Sequence, residues 1–519
     1  MSAQNEGYLR RLWTEYCLGS SVYATRYLIK PHLSPGERLW WAFWLIGAIA
    51  ACFLSIIVTI RHWTASPVYI SYAKRLIPTW YIPFPAITIC PLAQTRVEYF
   101  NLTDVHRRLH HNIILNESEN AYFRAMAHIC PSISMWHYFN ESRQEDTWKV
   151  LQRIAIPMEN IFSTCRLRNV KVPCSTIISQ SITQFGICYT FNAISSDDMF
   201  KKENLQRDYD YSSANFKSDG WSLEDGYPLM AGPNIYPFRP IGVGKKSSLS
   251  LVLRTRKIDQ DFHCNGPRSG YYISVHRPDE IPLFLNQYHR LSHLSLLSLI
   301  VKPELTLIAN GLKSYHYKRR QCYFKDEREL RYFKVYNYNN CLAECIANYS
   351  LHLCGCVPLA MPRSPGIRVC DASVIECFDE VTTDIFATYY QLNKTEDWQD
   401  PCQCLPDCTT LSYDVEMFRL PIDFDAFSKA VGNLHESLEG KDTSILHVGL
   451  KYKWLLPMQR REMMGFSDLL AHFGGLFALL MGASVISLLE LVYFCLIRPC
   501  RNDSADDSVP VRQVLPWKP

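Results

Sequence analysis

Residues 39–60, LWWAFWLIGAIAACFLSIIVTI, contain no charged side chain. As a helix they rise ~33 Å at ~1.5 Å per residue, enough to cross the hydrocarbon core of a bilayer. The run starts too far into the chain and is too long for a cleaved signal peptide, and no small-residue cleavage pattern follows it, so it reads as a retained signal anchor. A second run, residues 466–497, is apolar or small except for Asp468, His472 and Glu490. Two spans place both termini on one side and some 400 residues on the other. The expected organisation is therefore an inner tail (1–38), a first span (39–60), an outer domain (61–465), a second span (466–497) and an inner tail (498–519).

Cysteines and sequons assign the sides. Sixteen of the 20 cysteines lie between the runs: Cys90, Cys130, Cys165, Cys174, Cys188, Cys264, Cys322, Cys341, Cys345, Cys354, Cys356, Cys370, Cys377, Cys402, Cys404 and Cys408. An even number of that size suits disulfides in an oxidising compartment. The same segment carries Asn-x-Ser/Thr sequons at Asn101, Asn116, Asn140, Asn348 and Asn393, which have a use only in the secretory lumen. The Lys/Arg bias does not decide, because basic residues flank the first run on both sides. Both termini are thus expected in the cytoplasm and the large loop outside the cell. The inner tails are too short to fold a catalytic domain.

Within the outer segment, Leu249, Leu251 and Leu253 alternate, as do Leu446, Val448, Leu450 and Tyr452, which predicts half-buried strands. Residues 328–349 read as helical, with Cys341 and Cys345 one turn apart. Strands and helices in one cysteine-rich domain make an α+β membrane protein. Cys354-Gly-Cys356 and Cys402-Gln-Cys404 could be drawn as zinc ligands, but thiols outside the cell oxidise, and the spacing suits two disulfides leaving in different directions.

Other function classes find little support. A formal net charge of +4, from 54 basic and 50 acidic residues, gives no electrostatic footprint for nucleic acid. Residues 242–247 (GVGKKS) lack the earlier glycine and the Ser/Thr of a phosphate loop, and neither H-E-x-x-H nor G-x-S-x-G occurs. No enzyme, no cofactor and no metal site is expected.

The second run is the informative one. On a helical wheel Asp468, Ala471, Gly475, Ala478 and Gly482 fall on one narrow stripe, which either packs helices closely or surrounds an axis with room for ions. Ionisable groups in a membrane face a bundle interior or a water path, so Asp468 and Glu490 suggest a cation route. Gly482-Ala483-Ser484 between them lets the backbone leave helical geometry, and rings of freed carbonyls are how selectivity filters strip ions of water. On physics alone a pore and a packing helix stay equally open.

Motifs in order along nearly the whole chain then add a resemblance. Residues 84–90 (FPAITIC), 186–192 (GICYTFN), Arg320-Gln321-Cys322-Tyr323 leading to Cys341 and Cys345, Cys354-Gly355-Cys356-Val357-Pro358, residues 402–408 (CQCLPDC), Phe473-Gly474-Gly475 and residues 482–490 (GASVISLLE) are together similar to the epithelial sodium channel/degenerin superfamily, in particular its arthropod pickpocket branch. The resemblance implies a disulfide-rich, hand-like outer domain, as in degenerin and acid-sensing channels. It implies a gated, sodium-preferring, amiloride-sensitive channel of the plasma membrane in sensory or epithelial cells, with sodium as the transported ion. It also implies a homotrimer or a heterotrimer with related subunits, and an external ligand or mechanical tether as stimulus. By the same resemblance Gly482, Ala483 and Ser484 form the filter; Asp468, Ala471, His472, Gly475, Ala478 and Glu490 line the pore; and bulky residues at Ala471 would hold the channel open. Three positions depart from the family pattern. Tyr23-Ala24 stands where a gating His-Gly is usual, hinting at a subunit that needs a partner to conduct; His472 replaces an acid; Ala478 replaces a glycine. The alternative reading is a non-conducting two-pass glycoprotein receptor or regulatory subunit.

Overall fold

A computed structural model describes residues 12–65, 68–130, 147–206, 218, 220–232, 235–283, 288–370, 374, 377, 381, 402–431 and 440–498. The chain divides into two compact units: residues 1–69 with 461–519, and residues 70–460. The first holds α1 (Tyr23–Ile29) and α2 (Pro35–Ala65). The 31-residue α2 contains the whole uncharged run and extends it at both ends, with Glu37 in its first turn, where the helix dipole favours an acid. Among the described residues α2 is the one unbroken helix long and apolar enough to cross a membrane; a bent pair near the C-terminus makes a second if it counts as one span.

Two sheets organise residues 70–460. The smaller contains β1 (Ala86–Pro91), β4 (Ile178–Thr183), β5 (Gly186–Phe191), β7 (Tyr271–His276) and β8 (His289–Leu291), in the order β8–β7–β1–β5–β4. Every residue of β1 and β5 is buried, so these strands are covered on both faces. The larger, eight-stranded sheet contains β2 (Phe162–Leu167), β3 (Val170–Val172), β6 (Leu249–Arg256), β9 (Ser295–Ile308), β11 (Lys441–Leu450) and β12 (Met458–Glu462), in the order β12–β9–β11–β6–β2–β3, with the strand Val68–Tyr72 paired to the free edge of β12 and β10 (Thr410–Pro421) also paired to β9.

Here the alternation fixes the register. Leu297, Leu446, Leu251 and Cys165 stand side by side across β9, β11, β6 and β2, and Leu299, Val448, Leu249 and Leu167 form the next row two residues on. A slip of one residue would turn these rows to the other face. Strand β9 is parallel to β11 over Leu296–Val301 and to β12 over Thr306–Ile308. Pro303 sits in the gap between them, where its missing N–H removes no bond to either. Strand β11 ends at Leu450, so Tyr452 lies beyond the strand that alternation alone extends to it.

Helices α3 (Leu102–His110), α4 (Glu117–Ala127) and α5 (Tyr338–Cys354) belong to this unit. The helix expected over residues 328–349 begins ten residues later, for two reasons. Asn337 caps the start by accepting from the Asn340 N–H. Glu344 reaches back to the N–H groups of Arg331 (2.7 Å) and Tyr332 (3.3 Å), holding residues 330–336 as a non-helical segment whose Leu330, Tyr332, Phe333 and Tyr336 are buried.

All sixteen cysteines of this unit are paired: Cys90–Cys188, Cys130–Cys264, Cys165–Cys174, Cys322–Cys408, Cys341–Cys404, Cys345–Cys402, Cys354–Cys377 and Cys356–Cys370. The spacing argument about direction needs correcting. Cys402 and Cys404 both end on α5, because Cys341 and Cys345 lie one turn apart on one face and match the two-residue repeat of an extended chain.

Candidate functional site

The second apolar run is two helices, α6 (Phe466–Met481) and α7 (Val485–Val492), the latter continued by a π-helical turn Tyr493–Ile497. They meet at 78° across Gly482-Ala483-Ser484. Gly482 has φ +64°, a left-handed conformation that L side chains rarely adopt. Its N–H donates to the Ala478 carbonyl (3.0 Å), and the Ala483 N–H donates to the Phe477 carbonyl (3.2 Å), closing the end of α6. Ser484 starts α7, its N–H donating to Ser487 Oγ at 3.0 Å. The sequence folds this way because glycine tolerates the turn and the Ser487 hydroxyl satisfies the Ser484 amide at the start of α7.

Helix α6 packs against α2, and just before it the Trp63 indole N–H donates to the Met464 carbonyl at 2.9 Å. Leu469 is buried and Phe473, Leu476 and Leu480 are half-buried at helical spacing, whereas Asp468, Ala471, His472, Gly475, Ala478, Gly482 and Ser484 are exposed and Ala483 is half-buried. A Cβ at Gly474, Gly475 or Gly482 would meet nothing within 4 Å. The small-residue stripe therefore lies on the open side of α6, free of its neighbouring helix. Asp468 accepts from the Gly465 N–H (3.1 Å) at the start of α6.

Glu490 is engaged by the segment before the first span. Its Oε2 accepts from the Ser21 N–H (2.9 Å) and Ser21 Oγ (3.0 Å), and Ser21 Oγ lies 2.5 Å from Ser487 Oγ. Supporting contacts surround this one: Tyr16 edge-on to Phe494, Tyr27 stacked on Trp41 at 4.4 Å, and Arg498 paired with Glu15 at 3.0 Å. Tyr23 and Ala24 open α1, directly after this docking point. Sequence reading missed Ser21 and Ser487. A signal existed, since Ser484, Ser487 and Glu490 recur every third residue on one helix face, but nothing local pointed to Ser21.

In residues 70–460, Asn101 and Asn116 accept hydrogen bonds as caps of α3 and α4, and Asn348 is exposed on α5. Asn140 and Asn393 lie outside the described residues. Two buried polar systems stand out. One threads the smaller sheet. His276 Nδ1 lies 2.8 Å from the Arg277 carbonyl, so it carries the proton and Nε2 accepts from Thr88; Thr190 and Ser181 continue the chain at 2.8 and 2.7 Å. Burial pushes His276 down to about 4, in keeping with this neutral tautomer. The other is centred on Arg277, which holds Asp279 with two hydrogen bonds (2.9 and 2.6 Å) and pairs with Asp407. Glu280 accepts from the Arg277 N–H and from Asn339, both at 2.9 Å. Burial raises its carboxyl to about 7, against the pull of Arg277.

The sequence model of the amiloride-sensitive sodium channel family matches residues 16–494. Pickpocket protein 28 of Drosophila melanogaster is 25% identical over 507 residues, covering 95% of this chain and 79% of that protein. Sodium channel protein Nach of Drosophila melanogaster is 23% identical over 508 residues, covering 94% and 87%. Human acid-sensing ion channel 4 is 26% identical over 170 residues, covering 32% and 30%.

Proposed function

Because the chain belongs to the amiloride-sensitive sodium channel family, a family of membrane channels, we propose that it is a subunit of a gated, sodium-preferring, amiloride-sensitive channel of the plasma membrane in sensory or epithelial cells. It crosses the membrane twice with both termini in the cytoplasm, and three subunits, identical or related, surround the permeation path. The observation that carries this reading is the interruption of the second apolar run at Gly482-Ala483-Ser484, flanked by a stripe of small residues on the open side of α6. A broken helix at membrane depth is tolerated where its freed carbonyls line protein or water, and carbonyl rings select ions.

The Ser21 contact refines the inner end. With Glu490 and Ser487 bound to the segment that leads into the first span, that segment and α7 move together, which gives an inner gate a physical link to both spans. The departures at Tyr23 and Ala24 next to this link fit a subunit that conducts with a related partner. An external ligand or a mechanical pull on the disulfide-stiffened outer domain supplies the stimulus.

The test is expression with and without related subunits, recording amiloride-sensitive sodium current under each stimulus. Gly482→Arg, which puts a cation and a strained backbone into the break, should abolish or dominantly suppress current. Unchanged current and selectivity would remove the filter from this position.

A further inference from the structure

A cavity of about 260 Å³ in the outer unit lies between the loop that carries Trp221 and Glu224 and the segment that carries Tyr323 and Asp326. Its volume is just below the ~300–1,000 Å³ usual for drug-sized ligands, which limits an occupant to a small molecule. A turn over Ser222–Gly226 presents Glu224: Ser222 Oγ bonds both the carboxylate and the N–H of Asp225, and Gly226 takes φ +76°. Trp221 and Tyr323, both largely buried, line the cavity from its two sides, and the Tyr323 ring is held in place by Tyr317 and Tyr336.

The charges on the walls are unequal, and the cations are already engaged. Lys325 Nζ pairs with Asp225 at 2.6 Å, Lys334 Nζ donates to the Asp197 carbonyl at 2.7 Å, and Arg277 is held by Asp279 and Asp407. Among the described residues Glu224 makes no direct ion pair: its Oε1 accepts from the Lys325 backbone N–H at 3.2 Å, while the Lys325 and Arg320 charges act on it only from beyond ion-pair distance. Partial burial raises its carboxyl above the ordinary range, the response of an anion short of compensation. Asp198 and Asp326 add carboxylates to the same walls. An aromatic surface beside an under-compensated carboxylate recognises a cation attached to a ring.

We propose that this cavity binds a small aromatic ammonium, with its ring against Trp221 and Tyr323 and its charged nitrogen on Glu224. The site is remote in sequence from the pore segment, and its existence does not depend on what the channel conducts. Its occupant is an external regulator of the protein.

The full chain in lipid nanodiscs is titrated calorimetrically with benzylammonium, with benzyl alcohol as the uncharged isostere and phenylacetate as the anion. Benzylammonium should bind, and both other probes should bind at least about tenfold more weakly. Glu224→Gln, which keeps the shape and one acceptor, should lose about tenfold in affinity, the equivalent of ~1.4 kcal/mol. Trp221→Leu tests the ring contact, and the melting temperature of each variant separates lost binding from lost fold. Failure of benzylammonium to bind at millimolar concentration, equal binding of benzyl alcohol, or wild-type affinity in a folded Glu224→Gln protein would each overturn the proposal.

Discussion

The two compact units use apolar residues in opposite ways. In residues 70–460 they face inward: Leu249, Leu251, Leu297, Leu299, Leu446 and Val448 are fully buried, and eight disulfides cross-link the frame around them. In the other unit they face outward: Leu39 is 72% exposed, Phe43 68%, Leu479 83% and Val485 78%, and Cys17, Cys52 and Cys495 are unpaired. The same side-chain chemistry serves two solvents. In water the hydrophobic effect collects apolar groups into a core; in lipid that drive vanishes, so helices are held by close packing and by a few polar contacts such as Ser21–Glu490. Polar groups differ correspondingly. Residues 70–460 bury charges in a compensated cluster, while the other unit places contacts such as Ser21–Glu490 and Gly465–Asp468 at the ends of its helices.

The sharpest way to break this comparison is at Arg277. Arg277→Met leaves the buried carboxylates of Asp279 and Asp407 without their cation, and removing one partner of a buried pair costs ~3–5 kcal/mol. Thermal melting of the purified protein should show the unit of residues 70–460 strongly destabilised; a small shift would mean that the cluster is wetter than its burial implies. Next is the contrast between cysteines. Removing the Cys341–Cys404 bridge by the double serine variant should cost ~2–5 kcal/mol and reduce surface delivery, whereas Cys17→Ser in the membrane unit should leave both nearly unchanged. Equal effects would erase the distinction between the units.

The smallest effect concerns pH. Glu280 titrates near 7 in the folded protein against an ordinary 4.5, so between these values the native state holds a proton that the unfolded chain has released. Its contribution to stability is complete below about 4.5 and is lost as pH rises through about 7. Glu280→Gln cannot titrate. The variant's Tm relative to wild type should therefore climb between pH 5 and pH 8, and a constant difference would mean that Arg277 holds the carboxylate ionised throughout.

Much of this was legible along the chain because it is written in local periodicity. The uncharged stretch inside α2 and the alternation of Leu249, Leu251 and Leu253 each follow from a few neighbouring residues. The break in the second run was visible in Gly482 and the two small residues after it. The start of α5 was misplaced because Glu344, a good helix former by local measure, acts through its side chain on residues twelve and thirteen positions earlier. Family membership rested on motifs spread across the whole chain, each weak alone.

By itself the sequence determined which stretches are apolar enough to suit lipid, which cysteines share a domain and where the second run can leave helical geometry, since all of these depend on side-chain character or on a single backbone preference. The tertiary structure decided which cysteine meets which, what Glu490 holds and how Arg277 is compensated. Ser21 and Glu490 are 469 residues apart, and Arg277 and Asp407 are 130 apart. Contacts across such distances are set by how whole elements pack, because no local preference can choose a partner that far along the chain.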